Sequence, residues 1–187
     1  WCCLPNFASP SLFGKIIDPQ AGFFAVGMPS ATKVRQSYIP STNILETNFD
    51  DGENAFVVID FMPRYREGNE FKRPLEIHRI LRPLKGQPFA QVSFQPRLNY
   101  ARDKTAVKLR PSVITSSNNL EGVFLYSSLP LRDIVASTPV SLTQEHFLLL
   151  AYHEKINPPS FGYSWQMFEK TKVYWETWAN HCRLPSL

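Results

Sequence analysis

The sequence predicts an all-β fold, an antiparallel β-sandwich followed by a C-terminal helix. Three observations predict it. Short apolar runs recur with turn residues between them, sixteen prolines stand against eight glycines, and a helical period appears only near the C-terminal end. Proline neither donates to a strand ladder nor fits inside a helix, so this many prolines imply short elements with proline-bearing connections. A 43% hydrophobic share of 187 residues is ample for one sizeable core.

Residues 1–30 read as loop, punctuated by Pro5, Pro10, Pro19 and Pro29. Strand texture begins at Tyr38. Ile44 to Phe49 alternates, residues 50–54 break it, and Ala55 to Phe61 resumes, which is a hairpin with a loop longer than two residues. Val57, Ile59 and Phe61 share one face and Phe56 and Val58 the other, so the second strand is expected to be central and covered on both sides. Further strands are predicted at Leu75–Leu81, Phe89–Phe94, Val107–Leu109, Gly122–Tyr126 and His146–His153. Repeated short strands with turn signals between them indicate a sandwich or a barrel.

After Asn157-Pro158-Pro159-Ser160 the period changes. Phe168, Thr171, Trp175, Trp178 and Cys182 recur at spacings of three and four, with Ser164 as the expected N-cap and Pro185 as the stop. The two tryptophans either pack on the chain's own sheet or grip a neighbouring domain.

The chemistry-bearing residues are sparse. The formal net charge is +4, and Lys33, Arg35, Arg64, Arg66, Lys72, Arg73, Arg79, Arg82 and Lys85 are interleaved with acids and apolar residues. A phosphate-tracking groove needs a denser stripe, so no nucleic-acid partner is expected. No apolar run reaches membrane-spanning length. Cys2, Cys3 and Cys182 form no disulfide framework, and no N-glycosylation sequon occurs, which together point to a reducing, cytoplasmic location. The chain opens on Trp1, so residues are expected upstream of it. No nucleophile elbow, dinucleotide or phosphate loop, or metal-ligand spacing is present, and no cofactor or metal is expected. His146 and His153 are predicted to fall on opposite strand faces, and His78 stands by itself. Asp50 and Asp51 precede Gly52 and read as turn chemistry. Asp60 is expected to cap a loop or to pair with an arginine.

Five segments resemble a known family when taken in order. They are Trp1-Cys2-Cys3-Leu4-Pro5-Asn6-Phe7-Ala8-Ser9-Pro10-Ser11-Leu12-Phe13; Tyr38 to Thr47; Asp60-Phe61-Met62-Pro63; Arg79 to Gly86 with Gln95-Pro96-Arg97-Leu98-Asn99-Tyr100; and Thr171 to Cys182. Together they are similar to the N-terminal domain of prokaryotic glucoamylase- and trehalase-like enzymes of glycoside hydrolase family 15. The resemblance implies a β-supersandwich over residues 1–160, then a linker helix over 161–187 leading to an (α/α)6 barrel. In that family two barrel glutamates act as general acid and base in an inverting hydrolysis of α-glucosidic bonds.

On this resemblance no residue here inherits a catalytic role, and enzyme activity is expected only of the parent protein. The implied partners are the downstream barrel and, through it, a glucoside substrate. Candidate substrate or domain-interface residues are Trp1, Phe7, Ser9, Trp175 and Trp178; the alternative for Trp1 and Phe7 is a plug in the open end of the sandwich. Ala8 stands where the family pattern has aspartate. The rival reading is a stand-alone carbohydrate-binding sandwich using Tyr65, Tyr100, Tyr126 and Tyr152. Exposed tryptophans on the helix would also promote self-association.

Overall fold

The structure, a computed structural model, describes residues 1–103, 105–157 and 159–181. Its strands are β1 (Cys2–Cys3), β2 (Ser11–Phe13), β3 (Phe23–Gly27), β4 (Lys33–Tyr38), β5 (Leu45–Asp50), β6 (Ala55–Phe61), β7 (Tyr65–Glu67), β8 (Glu70–Lys72), β9 (Glu76–Lys85), β10 (Phe89–Gln95), β11 (Ala106–Leu109), β12 (Ile114–Ser117), β13 (Gly122–Ser127), β14 (Val140–Ser141) and β15 (His146–Tyr152). Two helices join them, α1 (Leu131–Ala136) and α2 (Phe161–His181).

An eight-stranded antiparallel sheet in the order β11-β12-β13-β15-β9-β6-β5-β4 is the backbone of the fold. A three-stranded sheet, β14-β10-β3, packs on one of its faces, and α2 packs on the other. This is the predicted sandwich with a helix. The two-sided apolar pattern of β6 is the cause of its place: Phe56 and Val58 enter the inter-sheet core, while Val57, Ile59 and Phe61 meet α2. β15 divides in the same way, with Leu148, Leu150 and Tyr152 inward and Phe147, Leu149 and Ala151 on the outer face. Alternation with period two puts successive side chains on opposite faces, so a strand apolar at every position needs cover on both.

The β5–β6 hairpin closes as its residues dictate. Asp50 Oδ1 accepts the Gly52 amide at 2.6 Å, and Asp51 Oδ1 accepts those of Glu53 and Asn54 at 3.1 and 2.7 Å. Ser30 donates to Asp51 Oδ2 at 2.7 Å, and these bonds hold the Asp51 carboxyl down at about 2. Both aspartates are turn residues.

Three readings need correction. Residues 1–30 are not all loop, since β1, β2 and β3 lie within them, and β4 begins at Lys33 rather than near Tyr38. These strands exist through pairing with distant chain: β3 pairs with β10, Phe24 opposite Phe94. Ser164 does not cap α2. The helix starts at Phe161, Ser160 Oγ accepts the Tyr163 amide at 3.0 Å, and Ser164 is wholly buried inside the first turns. The stripe along α2 is also shorter than its period suggests. Met167, Phe168 and Thr171 are buried, Trp175 is half-buried and Trp178 is 56% exposed. Cys182 and Pro185 lie outside the described residues.

Candidate functional site

Two adjoining clefts open at one end of the molecule, and the side chains on them come from widely separated segments. The first, of 450 Å³, is lined by Trp1, Tyr38, Asn43, Asp60, Met62 and Arg79, among others. The second, of 520 Å³, is lined by Pro5, Asn6, Asn43, Met62, Arg64 and Trp175, among others. Asn43 and Met62 border both.

The floor of the first cleft is a cross-strand pair. Asp60 of β6 faces Arg79 of β9 in register. By alternation both belong to the inter-sheet face, following Phe56 and Val58 along β6 and Leu81 along β9. Charged residues on an otherwise apolar inner face break the local pattern, and such breaks concentrate at functional or strained sites. Arg79 ties the sheets together: its Nη1 donates to the Phe24 carbonyl at 2.8 Å, and its guanidinium carbon lies 4.4 Å from the centre of the Phe24 ring. Asp60 Oδ1 lies 3.1 Å from Arg79 Nε, but the N–H is not aligned on the oxygen, and neither atom has another hydrogen-bond partner among the described residues. Burial pushes the Asp60 carboxyl up from its ordinary range, against the pull of Arg79. Pairing with an arginine is one of the two roles the sequence predicts for this acid, the other being a loop cap.

The opening segment forms one wall. Cys2 and Cys3 pair with β2, and a cis peptide joins Leu4 to Pro5. Burial and the neighbouring Cys3 raise the Cys2 thiol to about 11, a direction that favours the protonated thiol over the thiolate. Leu4 and Leu12 are fully buried anchors, whereas Phe7 between them is 95% exposed and plugs nothing. Ser9 Oγ accepts the Asn6 amide at 3.1 Å, and the Ser9 carbonyl accepts the Tyr100 hydroxyl at 3.3 Å. Ala8 is exposed on this loop. Tyr100 is held in an unusual turn: Asn99, Tyr100 and Ala101 are consecutive non-glycine residues with φ of 53°, 55° and 62°. Left-handed backbone costs roughly 1–2 kcal/mol per residue. The turn is tied by the Asn99 amide to Glu121 at 3.3 Å and by the Asn99 side chain to Asp103 at 3.3 Å. It brings the Tyr100 ring to 6.3 Å from that of Trp1.

Helix α2 forms the far wall. Thr171 Oγ1 accepts the Arg64 amide at 3.2 Å, and Arg64 Nε donates to the Tyr174 hydroxyl at 2.9 Å. The same guanidinium lies 5.2 and 5.7 Å from the Tyr174 and Trp175 rings. Trp175 thus faces the second cleft. Trp178, whose ring is 5.9 Å from Trp175, turns to a separate apolar groove of 580 Å³ beside Phe71 and Val173.

Of the residues proposed from sequence, Trp1 lies on the first cleft and Trp175 on the second. Ser9 supports the opening loop, Phe7 projects from it, and Trp178 lies on the groove. The four tyrosines of the rival reading do not form a platform. Tyr126 and Tyr152 are buried in different clusters, and Tyr65 is half-covered beneath Lys170. Among the described residues no group of three or more His, Cys, Asp or Glu is placed to hold a metal, and no helix is long and apolar enough to cross a membrane.

A buried polar cluster escaped sequence reasoning. His78 Nε2 lies 2.8 Å from the Glu76 carboxylate and its Nδ1 3.0 Å from Ser164 Oγ, while Tyr163 donates to both Glu76 oxygens at 3.0 and 3.1 Å. His78 and Ser164 have no exposed surface. The order serine–histidine–glutamate has the composition of a hydrolytic triad, but no substrate reaches a sealed hydroxyl, and the cluster instead fastens α2 to β9. The spacing of Glu76 and His78 was a legible signal, since residues two apart on a strand share a face. Nothing local marked Ser164.

The clefts are lined by residues from all five segments singled out in the sequence: 1–13, 38–47, 60–63, Arg79, and Trp175, with Tyr100 bonded to the opening loop behind them. Comparison with known proteins gives the same direction. A family model described as trehalase-like, N-terminal matches residues 1–129. A trehalase of Thermoplasma volcanium is 28% identical over 96% of the chain, trehalase 2 of Sulfolobus acidocaldarius is 31% identical over all of it, and a trehalase of Mycobacterium tuberculosis is 23% identical over 99%. The chain spans only about 30% of the length of these relatives, 30, 32 and 31% respectively. No experimentally solved structure matches it. Matched over most of its length, the chain belongs to the trehalase-like N-terminal family.

Proposed function

We propose that this chain is the non-catalytic N-terminal domain of a trehalase-like glycoside hydrolase, and that its cleft-bearing end faces a downstream catalytic barrel. The observation that supports this reading is that residues from all five segments line the two clefts, where Trp1, Tyr38 and Met62 stay about half exposed or more. Residues 1–160 serve as the sandwich and residues 161–187 as the link. Trp1, Phe7, Ser9 and Trp175 lie at or beside the domain contact, and Trp178 extends it along α2. The parent enzyme acts on α-glucosides in the cytoplasm.

Hydrolysis of trehalose and maltooligosaccharides, read as glucose release, tests this. The 187 residues alone are expected to release none, and a longer protein carrying them with the catalytic part is expected to be active. Glucose release by the 187 residues alone would overturn the reading and make Asp60, Glu46 and Glu154 the acids to replace. A second expectation concerns the groove beside Trp178. Phe71, Val173 and Trp178 are each more than half exposed, at 62, 58 and 56%, and clustered apolar surface of this kind associates. The isolated chain should therefore sediment as larger species as its concentration rises, and Val173→Glu should restore a monomer.

A further inference from the structure

The first cleft has the chemistry of a binding site for a neutral, polyhydroxylated ring. Its floor places a carboxylate beside a guanidinium, Asp60 Oδ1 at 3.1 Å from Arg79 Nε. Their charges cancel, so neither an anion nor a cation is selected. A carboxylate only accepts hydrogen bonds and a guanidinium only donates them, whereas a hydroxyl does both. Two adjacent hydroxyls can therefore satisfy the two groups at once, which an apolar or singly charged ligand cannot.

The facing atoms Asp60 Oδ1 and Arg79 Nε have almost no accessible surface, but the side chains keep 24% and 19% of theirs, so ligand hydroxyls meet the pair at its outer atoms. Asn43 adds an amide with both donor and acceptor capacity at the edge. Above the floor the rim is aromatic and apolar: Trp1 is 52% exposed, Tyr38 63% and Met62 46%. Exposed ring faces suit the C–H face of a sugar ring while the polar floor takes its hydroxyls. At 450 Å³ the cleft falls in the size range of small-molecule sites, which pair apolar lining with a few placed polar groups. Lys15, also on the wall, has its ammonium 4.3 Å from the centre of the Phe23 ring and keeps its charge, which solvent screens on an exposed side chain.

We infer that the cleft between Trp1, Tyr38 and the Asp60–Arg79 pair binds a glucosyl unit directly, so that this domain contributes a sugar contact of its own. The choice of glucosyl ligand rests on the trehalase-like reading above; the cleft's preference for a neutral polyol rests on the residues.

The test is a titration of the 187-residue chain with trehalose and with glucose, followed by two-dimensional 1H–15N NMR. Millimolar sugar is expected to shift the Trp1 indole, the Asn43 side-chain amide and the Arg79 Nε–H. Asp60→Asn should weaken binding about tenfold, the size of one hydrogen bond to a charged group. Tyr38→Ala, on an exposed rim position, should weaken it without changing the fold, which its spectrum would show. Absence of shifts in the wild-type chain, or shifts confined to the groove beside Phe71 and Trp178, would overturn the proposal. Hydrolysis by the longer protein with no binding here would remove the site and leave the domain assignment standing. Binding here without any hydrolysis by the longer protein would do the reverse.

Discussion

Glu76→Ala is expected to destabilise the chain by roughly 2–6 kcal/mol, as measured by urea unfolding, because it removes the shared acceptor of a buried polar network and strands two donors. The carboxylate is the acceptor for His78 Nε2 and the Tyr163 hydroxyl. Without it two donors are left unpaired beneath α2, each costing roughly 1–3 kcal/mol. For a chain of this size the shift in Tm is about 10 °C. Tyr163→Phe removes one donor to the carboxylate and leaves the His78 contact in place, so it should cost about 1.5–3 kcal/mol, less than Glu76→Ala. If Glu76→Ala and Tyr163→Phe cost the same, the cluster is not the clamp described here.

The same cluster makes stability depend on pH. Burial lowers the His78 pKa below its ordinary 6.5, and this outweighs the opposing effects of the hydrogen bond and charge of Glu76. The folded state therefore keeps His78 neutral where the unfolded chain has begun to take up a proton. As pH falls below 6.5 the unfolded state binds more protons, so stability declines, by up to about 1.4 kcal/mol per pH unit, until the folded pKa is reached. Above 6.5 this contribution is complete and constant. Asp60 works in the opposite sense at lower pH: its raised pKa lets the folded state take up a proton first, so stability is gained as pH falls through the folded pKa towards the ordinary 3.8. A urea midpoint that does not change between neutral pH and the first unit below 6.5 would contradict the assignment of His78.

Gly22→Ala is expected to cost roughly 2–4 kcal/mol, the sum of a left-handed backbone penalty and overpacking. Gly22 has φ of +82°, and a Cβ there would sit 2.6 Å from the Gln95 carbonyl oxygen and 2.7 Å from the Arg97 nitrogen. Both are backbone atoms, so no side-chain rotation relieves the overlap. Nearby, Lys15 N donates to the Gly22 carbonyl at 3.1 Å and Arg97 N to Leu12 O at 2.9 Å, so the substitution loosens the wall of the first cleft as well. Gly27→Ala is the matched control. It lies in β3, with nothing within 4 Å of its Cβ position, and should change stability by no more than about 0.5 kcal/mol. Equal costs at the two glycines would show that close approach at Gly22 is not the cause.

What the sequence by itself determined is what short-range periodicity controls. Apolar residues on both faces of 55–61 required a central strand covered on each side, and β6 is that strand. The turn at Asp50 and Asp51 and the C-terminal helix were legible for the same reason: each follows from neighbours a few residues apart. The tertiary structure decided whatever depends on a partner far along the chain. β3 is a strand because β10 pairs with it, and no pattern in five residues announces that. Ser164 has the composition of a cap, yet a histidine 86 residues away takes its hydroxyl. Trp1, Asn43, Asp60 and Arg79 meet only because four separate segments end at one side of the sandwich. A hydroxyl or a carboxylate can satisfy many partners, and the fold alone selects which one comes within hydrogen-bond distance.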